Sequence, residues 1–213
     1  MSHVRVKICG VTTPDDARLA AGLGADAVGL NFYAQSPRFV APAQAGPLLR
    51  ALPPFVDAVG VFVGLKTRQV CALAYQLGLR GVQCLADPDD LEDPFPFQRI
   101  AAFRVKDRSS LDEIEHYLAK CRGNGAVPAA VLADAHVEGQ LGGTGKTAPW
   151  ELLRDFRPGV PLILAGGLTP DNVAEAIRTV RPYAVDVASG VESSPGRKDA
   201  DRMRRFIDNA RGA

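Results

Sequence analysis

The chain has 213 residues, 46% hydrophobic and 23% charged, which suits one large globular domain or two small ones and excludes general disorder. Lys+Arg 25 against Asp+Glu 24 leaves a formal charge of +1, so there is no overall electrostatic footprint for nucleic acid or an anionic membrane. No apolar run approaches the roughly 20 residues that span a bilayer, and the opening MSHVRVKICG has no signal-peptide core. Cys9, Cys71, Cys84 and Cys121 are widely spaced with no CxxC, which favours a reduced, cytosolic setting over a disulfide framework. His3, His116 and His136 show no metal-ligand spacing.

Apolar or β-branched runs and helical spacings alternate along the whole chain. A strand over 4–9 is followed by a helix over 14–23, with Thr13 as cap, Pro14 at the first helical position and Gly24 as a stop. Then come a strand over 27–32, a helix over 44–52, a strand over 56–63, and a helix over 68–77 closed by Gly78. The strand over 81–85 leads into a proline-rich stretch, 86–98, where any helix is short. A strand over 100–105 precedes a helix over 111–120, with Ser110 and Glu113 as a candidate capping box. Strands over 129–134, 161–166 and 184–189 alternate with helices over 150–156, 170–180 and 200–210, and Thr169-Pro170-Asp171 repeats the Thr-Pro-Asp start signal. Most of the strands are apolar almost throughout, the mark of parallel strands covered on both faces. Eight strand–helix units of about 27 residues predict a single-domain α/β fold over residues 1–213, a (β/α)8 TIM barrel, with an open doubly wound sheet as the alternative.

Such a barrel carries its chemistry at the C-terminal ends of its strands. There the chain has Cys9-Gly10 after the first strand, Asp134 after the sixth, Gly166-Gly167 after the seventh and Ser189-Gly190 after the eighth. Glycine turns that open helices let bare N–H groups approach an anion, so the last two loops are candidate phosphate binders, though either could be only a tight turn. In the first strand Val4, Val6 and Ile8 alternate with Arg5, Lys7 and Cys9. With the apolar set facing the helices, Lys7 and Cys9 face the lumen, and by the same parity so does Asp186 of the eighth strand. First and eighth strands adjoin in a closed barrel, so Lys7 and Asp186 are expected to pair, since a buried charge needs a partner. An ammonium beside Cys9 is expected to favour its thiolate. Cys9 could also be a small buried hydrophobe, Asp134 a turn residue and Arg38 an ordinary surface arginine. As a cation at the mouth after Ser36-Pro37, Arg38 could instead clamp a carboxylate. The loop GQLGGTGKT fails as a nucleotide P-loop, because the required glycine five residues before Gly145 is Gln140. It reads better as a lid whose Lys146 could reach an anion.

Taken together, VKICGVT (6–12), GADAVGLNFYAQSPRFV (24–40), VGVFV (59–63), LADAHVEGQLGGTGKT (132–147), LAGGLTPDNV (164–173) and VDVASGVESSPGRKD (185–199) resemble the phosphoribosylanthranilate isomerases of tryptophan biosynthesis over nearly the whole chain. The resemblance implies a (β/α)8 barrel that performs an Amadori rearrangement on a small phosphorylated substrate, with no metal or organic cofactor, in the cytoplasm. It implies Cys9 as general base and Asp134 as general acid, with Arg38 on the anthranilate carboxylate. Gly166, Gly167, Ser189 and Gly190 would hold the phosphate, and Lys7 and Asp186 join the substrate-binding set. The chain departs from the pattern in three places. The family's QLHG is Gln83-Cys84-Leu85-Ala86 here, so its histidine is missing. FDW has become Ala148-Pro149-Trp150, and SSG has become Ala188-Ser189-Gly190.

Two other readings compete. A related aldose–ketose isomerase of broader range, acting on a substrate with two phosphates, would need a second glycine-rich turn after strand three or four. Only Gly64 stands there. A non-catalytic phosphate-ligand barrel would not need Cys9, Asp134 and Arg38 together. The chain fixes neither monomer nor homodimer, and it gives no indication of a nucleic-acid or membrane partner.

Overall fold

The computed structural model describes residues 4–89, 95–135 and 150–213. The glycine-rich loop with Gln140, Gly145 and Lys146, the position of Pro149, and His3 and His136 lie outside the described residues.

Eight parallel strands close on themselves in chain order. They are β1 (Arg5–Cys9), β2 (Ala27–Asn31), β3 (Asp57–Phe62), β4 (Gly81–Leu85), β5 (Gln98–Arg104), β6 (Ala130–Asp134), β7 (Leu162–Ala165) and β8 (Ala184–Val187). The helices α1 (Pro14–Gly22), α2 (Ala45–Ala51), α3 (Thr67–Leu77), α4 (Arg108–Gly123), α5 (Trp150–Leu153), α6 (Val173–Val180) and α7 (Ala200–Arg211) cover the outside. The expected barrel is therefore present, and its strands fall within a residue or two of the sequence reading. Among the described residues no helix lies between β4 and β5, where three prolines fall between 86 and 98.

Strand parity divides the interior into two cores. Val6, Ile8, Val28, Leu30, Val82, Val131 and Val185 point outward into the main cluster beneath the helices. Ala130, Leu132, Ile163, Ala165 and Ala184 pack with Ile100 and Ala102 as a separate cluster in the lumen. Burial on both faces is why the strands read as unbroken apolar runs.

Helix starts were read less well than helix bodies. Thr13 caps α1 as expected, its side chain accepting from Asp16 N at 3.1 Å, and Gly78 ends α3 in the left-handed region. The Ser110–Glu113 box is corrected: α4 starts at Arg108, capped by the Asp107 side chain, and Ser110 lies buried in the first turn. The helix expected from Pro170 starts at Val173. Its Asn172 side chain reaches back instead, accepting from Thr169 N at 2.8 Å and donating to Gly167 O at 3.0 Å. Between β8 and α7 a 3-10 turn (Ser189–Val191) leads into a small antiparallel hairpin that the sequence reading lacked, β9 (Glu192–Ser194) and β10 (Arg197–Lys198). Two strands this short carry too little periodicity to be seen in SSPGRK.

Candidate active site

β1 builds the floor of the site. Its register with β8 sets Lys7 opposite Asp186. The ammonium, 4% exposed, donates to Asp186 Oδ1 at 2.8 Å and to Gln83 Oε1 on β4 at 3.0 Å. The pairing expected from strand parity is thus present, with Gln83 as a third member the sequence reading did not assign. Its inward parity on β4 was the available signal. Room for this cluster comes from Gly29 on β2, in register with Cys9. A Cβ at that position would stand 2.7 Å from Cys9 Sγ and 3.1 Å from Lys7 Nζ.

The electrostatic expectation for Cys9 needs correction. Burial is the largest influence and pushes the thiol above its ordinary value. Lys7 pulls it back, Asp186 adds to the rise, and the net shift is upward. The lysine does favour the thiolate, as expected, but desolvation outweighs it. For Lys7 itself burial disfavours the charge, yet Asp186 and Cys9 reverse that and the net shift is upward, so the ammonium keeps its proton.

A second cluster locks the mouth beside Cys9. Glu192, buried at the start of β9, accepts both arms of a side-on fork from Arg38, Nε at 2.8 Å and Nη2 at 2.7 Å. It also accepts from Lys198 Nζ at 2.9 Å. Lys198 donates in addition to Cys9 O at 2.6 Å and Ala188 O at 3.1 Å. One buried ammonium therefore ties the end of β1 to the end of β8. Burial would raise the Glu192 carboxyl, but Arg38 and Lys198 more than offset it and hold the group ionised. Arg38 is corrected in one respect: the fork expected to clamp a ligand carboxylate grips Glu192 in this structure. Its stem lies over Gly10, where a Cβ would collide with Arg38 Cδ. Glu192 and Lys198 were missed because their partners are remote in sequence and the hairpin carrying them was unseen.

Around this floor stand the two glycine loops. Gly166 and Gly167 both adopt positive φ, 90° and 63°, a conformation that favours glycine. Gly190 presses so closely on the preceding loop that a Cβ would run into Leu168 O. The loops after β7 and β8 thus abut, and the N–H groups of Gly166, Gly167, Ser189 and Gly190 meet no acceptor among the described residues. Asp134 ends β6, in register with Ala165 of β7. In barrel order β6 and β1 are separated only by β7 and β8. Carboxylate and thiol therefore stand on one rim with the glycine loops between them. Leu85, half exposed at the end of β4, occupies the position of the missing histidine.

If Lys7 restrains the rise of the Cys9 thiol, Lys7→Met leaves burial and Asp186 opposed only by the more weakly acting Lys198. Site-resolved alkylation of Cys9 followed against pH should then titrate at higher pH in the variant than in the parent chain. Coincident curves would show that the ammonium does not act on the sulfur.

Comparison with known proteins finds relatives over almost the full length of the chain. The family model for N-(5'-phosphoribosyl)anthranilate (PRA) isomerase matches residues 6–209. An N-(5'-phosphoribosyl)anthranilate isomerase of Geobacter sulfurreducens is 50% identical over 210 residues, 98% of this chain and 99% of that one. A phosphoribosyl anthranilate isomerase crystallised with reduced 1-(o-carboxyphenylamino)-1-deoxyribulose 5-phosphate superposes with TM-score 0.82 at 38% identity, covering 99% of this chain and 100% of that one. Mutually generated monomers of the dimeric Thermotoga maritima enzyme give 0.80 at 35% identity, with the same coverage. The chain belongs to the N-(5'-phosphoribosyl)anthranilate isomerase family.

Proposed function

We propose that this chain converts N-(5-phosphoribosyl)anthranilate into 1-(2-carboxyphenylamino)-1-deoxyribulose 5-phosphate, an Amadori rearrangement of tryptophan biosynthesis, by general acid–base catalysis. The observation that carries the reading is the rim itself: an acid on β6 and a thiol on β1, on either side of two adjoining glycine loops with free donors. The related enzyme crystallised with a reduced form of that ketose phosphate supports the substrate class.

The steps follow from the residue types. The phosphate seats on the N–H groups of Gly166, Gly167, Ser189 and Gly190, where glycine leaves the backbone bare. Arg38, gripped side-on by Glu192, offers its remaining guanidinium edge to the anthranilate carboxylate. Two anchors at opposite ends of the substrate fix the sugar between acid and base. Asp134, protonated, gives its proton to the ring oxygen. The C1–O bond breaks and the nitrogen lone pair forms an iminium. The Cys9 thiolate then takes the C2 proton, and the C–H pair becomes the C1–C2 double bond of an enol-amine, which tautomerises to the ketone. The turnover leaves Cys9 protonated and Asp134 ionised, so a proton must return from sulfur to carboxylate through solvent before the next one. Because burial raises the Cys9 thiol, the iminium charge and Lys7 both serve the same end, favouring the thiolate when it is needed. Lys7 and Asp186 belong to the set that supports the substrate from below. Cys9→Ala and Asp134→Asn should each cut kcat by about 10²–10⁴-fold while product affinity, measured by fluorescence titration, stays near that of the parent. Near-normal turnover by either variant would remove its residue from the assigned role.

Two chains pair through the N-terminal faces of their barrels. At that end a cavity of about 360 Å³ opens among Val59, Ile100, Ala130, Ile163, Tyr183 and Ala184. On the same face, between α2 and β3, Phe55 projects fully into solvent at φ 72°. A fully exposed phenyl held in a strained conformation is what an anchor for a partner's pocket looks like, and the dimeric Thermotoga maritima relative supports a homodimer. Phe55→Glu should convert a dimer to a monomer in sedimentation velocity while leaving the catalytic rim at the other end intact. A parent chain monomeric at tens of micromolar, or a variant still dimeric, would end this assignment. Cys9, Cys71, Cys84 and Cys121 form no disulfide, which fits the proposed cytosolic setting. No described helix is long and apolar enough to cross a membrane.

A further inference from the structure

Arg99 stands apart from every charge discussed so far. It lies on β5, its neighbour Ile100 packs with the lumen cluster, and Arg99 itself faces the helices at 7% exposure. Its guanidinium lies over the Phe95 ring, 5.1 Å from the centroid, and Nη2 donates to Ala126 O. Nε is buried with no acceptor. Among the described residues no carboxylate lies within ion-pair distance of it, whereas the other two strongly buried cations, Lys7 and Lys198, each have one. A buried charge without a counter-ion costs stability, and it is retained at a cost unless something neutralises it.

Beside this guanidinium is a cavity of about 310 Å³, on the side of the barrel where β4 and β5 have no described helix over them. Phe62, Val70, Phe95 and Tyr117 line it around Arg99, with the polar side chain of Thr67 also in the wall. Lys66 stands at its edge, with Asp87 at 4.0 Å, both well exposed. The cavity is lined by none of the proposed catalytic or anion-binding residues, and of the residues described around the rim it shares only Leu85 at the end of β4.

We propose that this cavity is a second ligand site, and that it takes a small monocarboxylate with an aromatic or similarly apolar body. One buried guanidinium matches one carboxylate charge, and its free Nε–H and remaining donors meet the oxygens. The ring walls favour burial of an apolar body. A bare phosphate fits less well, because its second charge and further oxygens would face phenyl and valine side chains.

Benzoate is the probe, added to the full chain and followed by calorimetry and thermal unfolding. The parent should bind it, and Arg99→Met should bind it about tenfold or more weakly, the loss expected for a charged hydrogen bond. Without benzoate, Arg99→Met should unfold at a higher temperature than the parent, because an apolar side chain replaces an uncompensated charge. Arg38→Met separates this cavity from the barrel mouth and should bind benzoate as the parent does. Equal affinity in the parent and Arg99→Met would overturn the proposal, and so would binding lost in Arg38→Met but kept in Arg99→Met. A fall in the unfolding temperature of Arg99→Met would also overturn it, marking Arg99 as a structural brace for the Ala126 carbonyl.

Discussion

The ion pair between Lys7 and Asp186 is the constraint on which the site depends. Both groups sit inside the barrel with side-chain exposures of 5% and 8%, so neither can be satisfied by water. Each is tolerable only because the other is 2.8 Å away. The pair joins the first strand to the last, at the one seam where closure of the barrel is not guaranteed by neighbours in sequence. Cys9, two residues further along β1, inherits its position and its electrostatic surroundings from that seam.

Above the seam Glu192 and Lys198 repeat the device. One carboxylate organises two cations. Arg38 is held against the mouth, and Lys198 is held where it can bind the carbonyls of Cys9 and Ala188. The two clusters brace the end of β1 from below and from the side, and the small hairpin after β8 exists to deliver the second of them. Rigid support of this kind suits acid–base chemistry, in which a displacement of an ångström is costly. The loops after β7 and β8 are set by a different means, close backbone contact at Gly190 and positive φ at Gly166 and Gly167, which suits the proposed phosphate site by leaving bare N–H groups rather than side chains there.

What the chain reveals before folding is what periodicity encodes. Lumen and shell alternate along each strand, so the inward set of Lys7, Cys9 and Asp186 could be read from the residues between them. The Lys7–Asp186 contact followed from the closure rule alone. The shift at Cys9 could not be read this way, because desolvation depends on everything packed around the sulfur, whereas a neighbouring lysine is visible in the sequence. The engagement of Arg38 by Glu192 depends on a hairpin of two very short strands. Local capping signals were ambiguous where several candidates stood together: Asp107 and Ser110 both could cap α4, and the nearer-to-start residue prevails because Ser110 is needed in the packed first turn. Arg99, whose Nε has no acceptor among the described residues, gave no signal at all, since an arginine in QRIAAF (98–103) says nothing of whether an acid folds against it.

A double-mutant cycle on Lys7→Met and Asp186→Leu, read by reversible denaturant unfolding, tests the central constraint most directly. Each single change strands a buried charge and should cost about 3–5 kcal/mol, whereas the double variant, with no charge left to strand, should lose clearly less than the two losses together. Losses that simply add would show that the two side chains do not depend on one another, and the account of how the barrel seam positions Cys9 would be wrong.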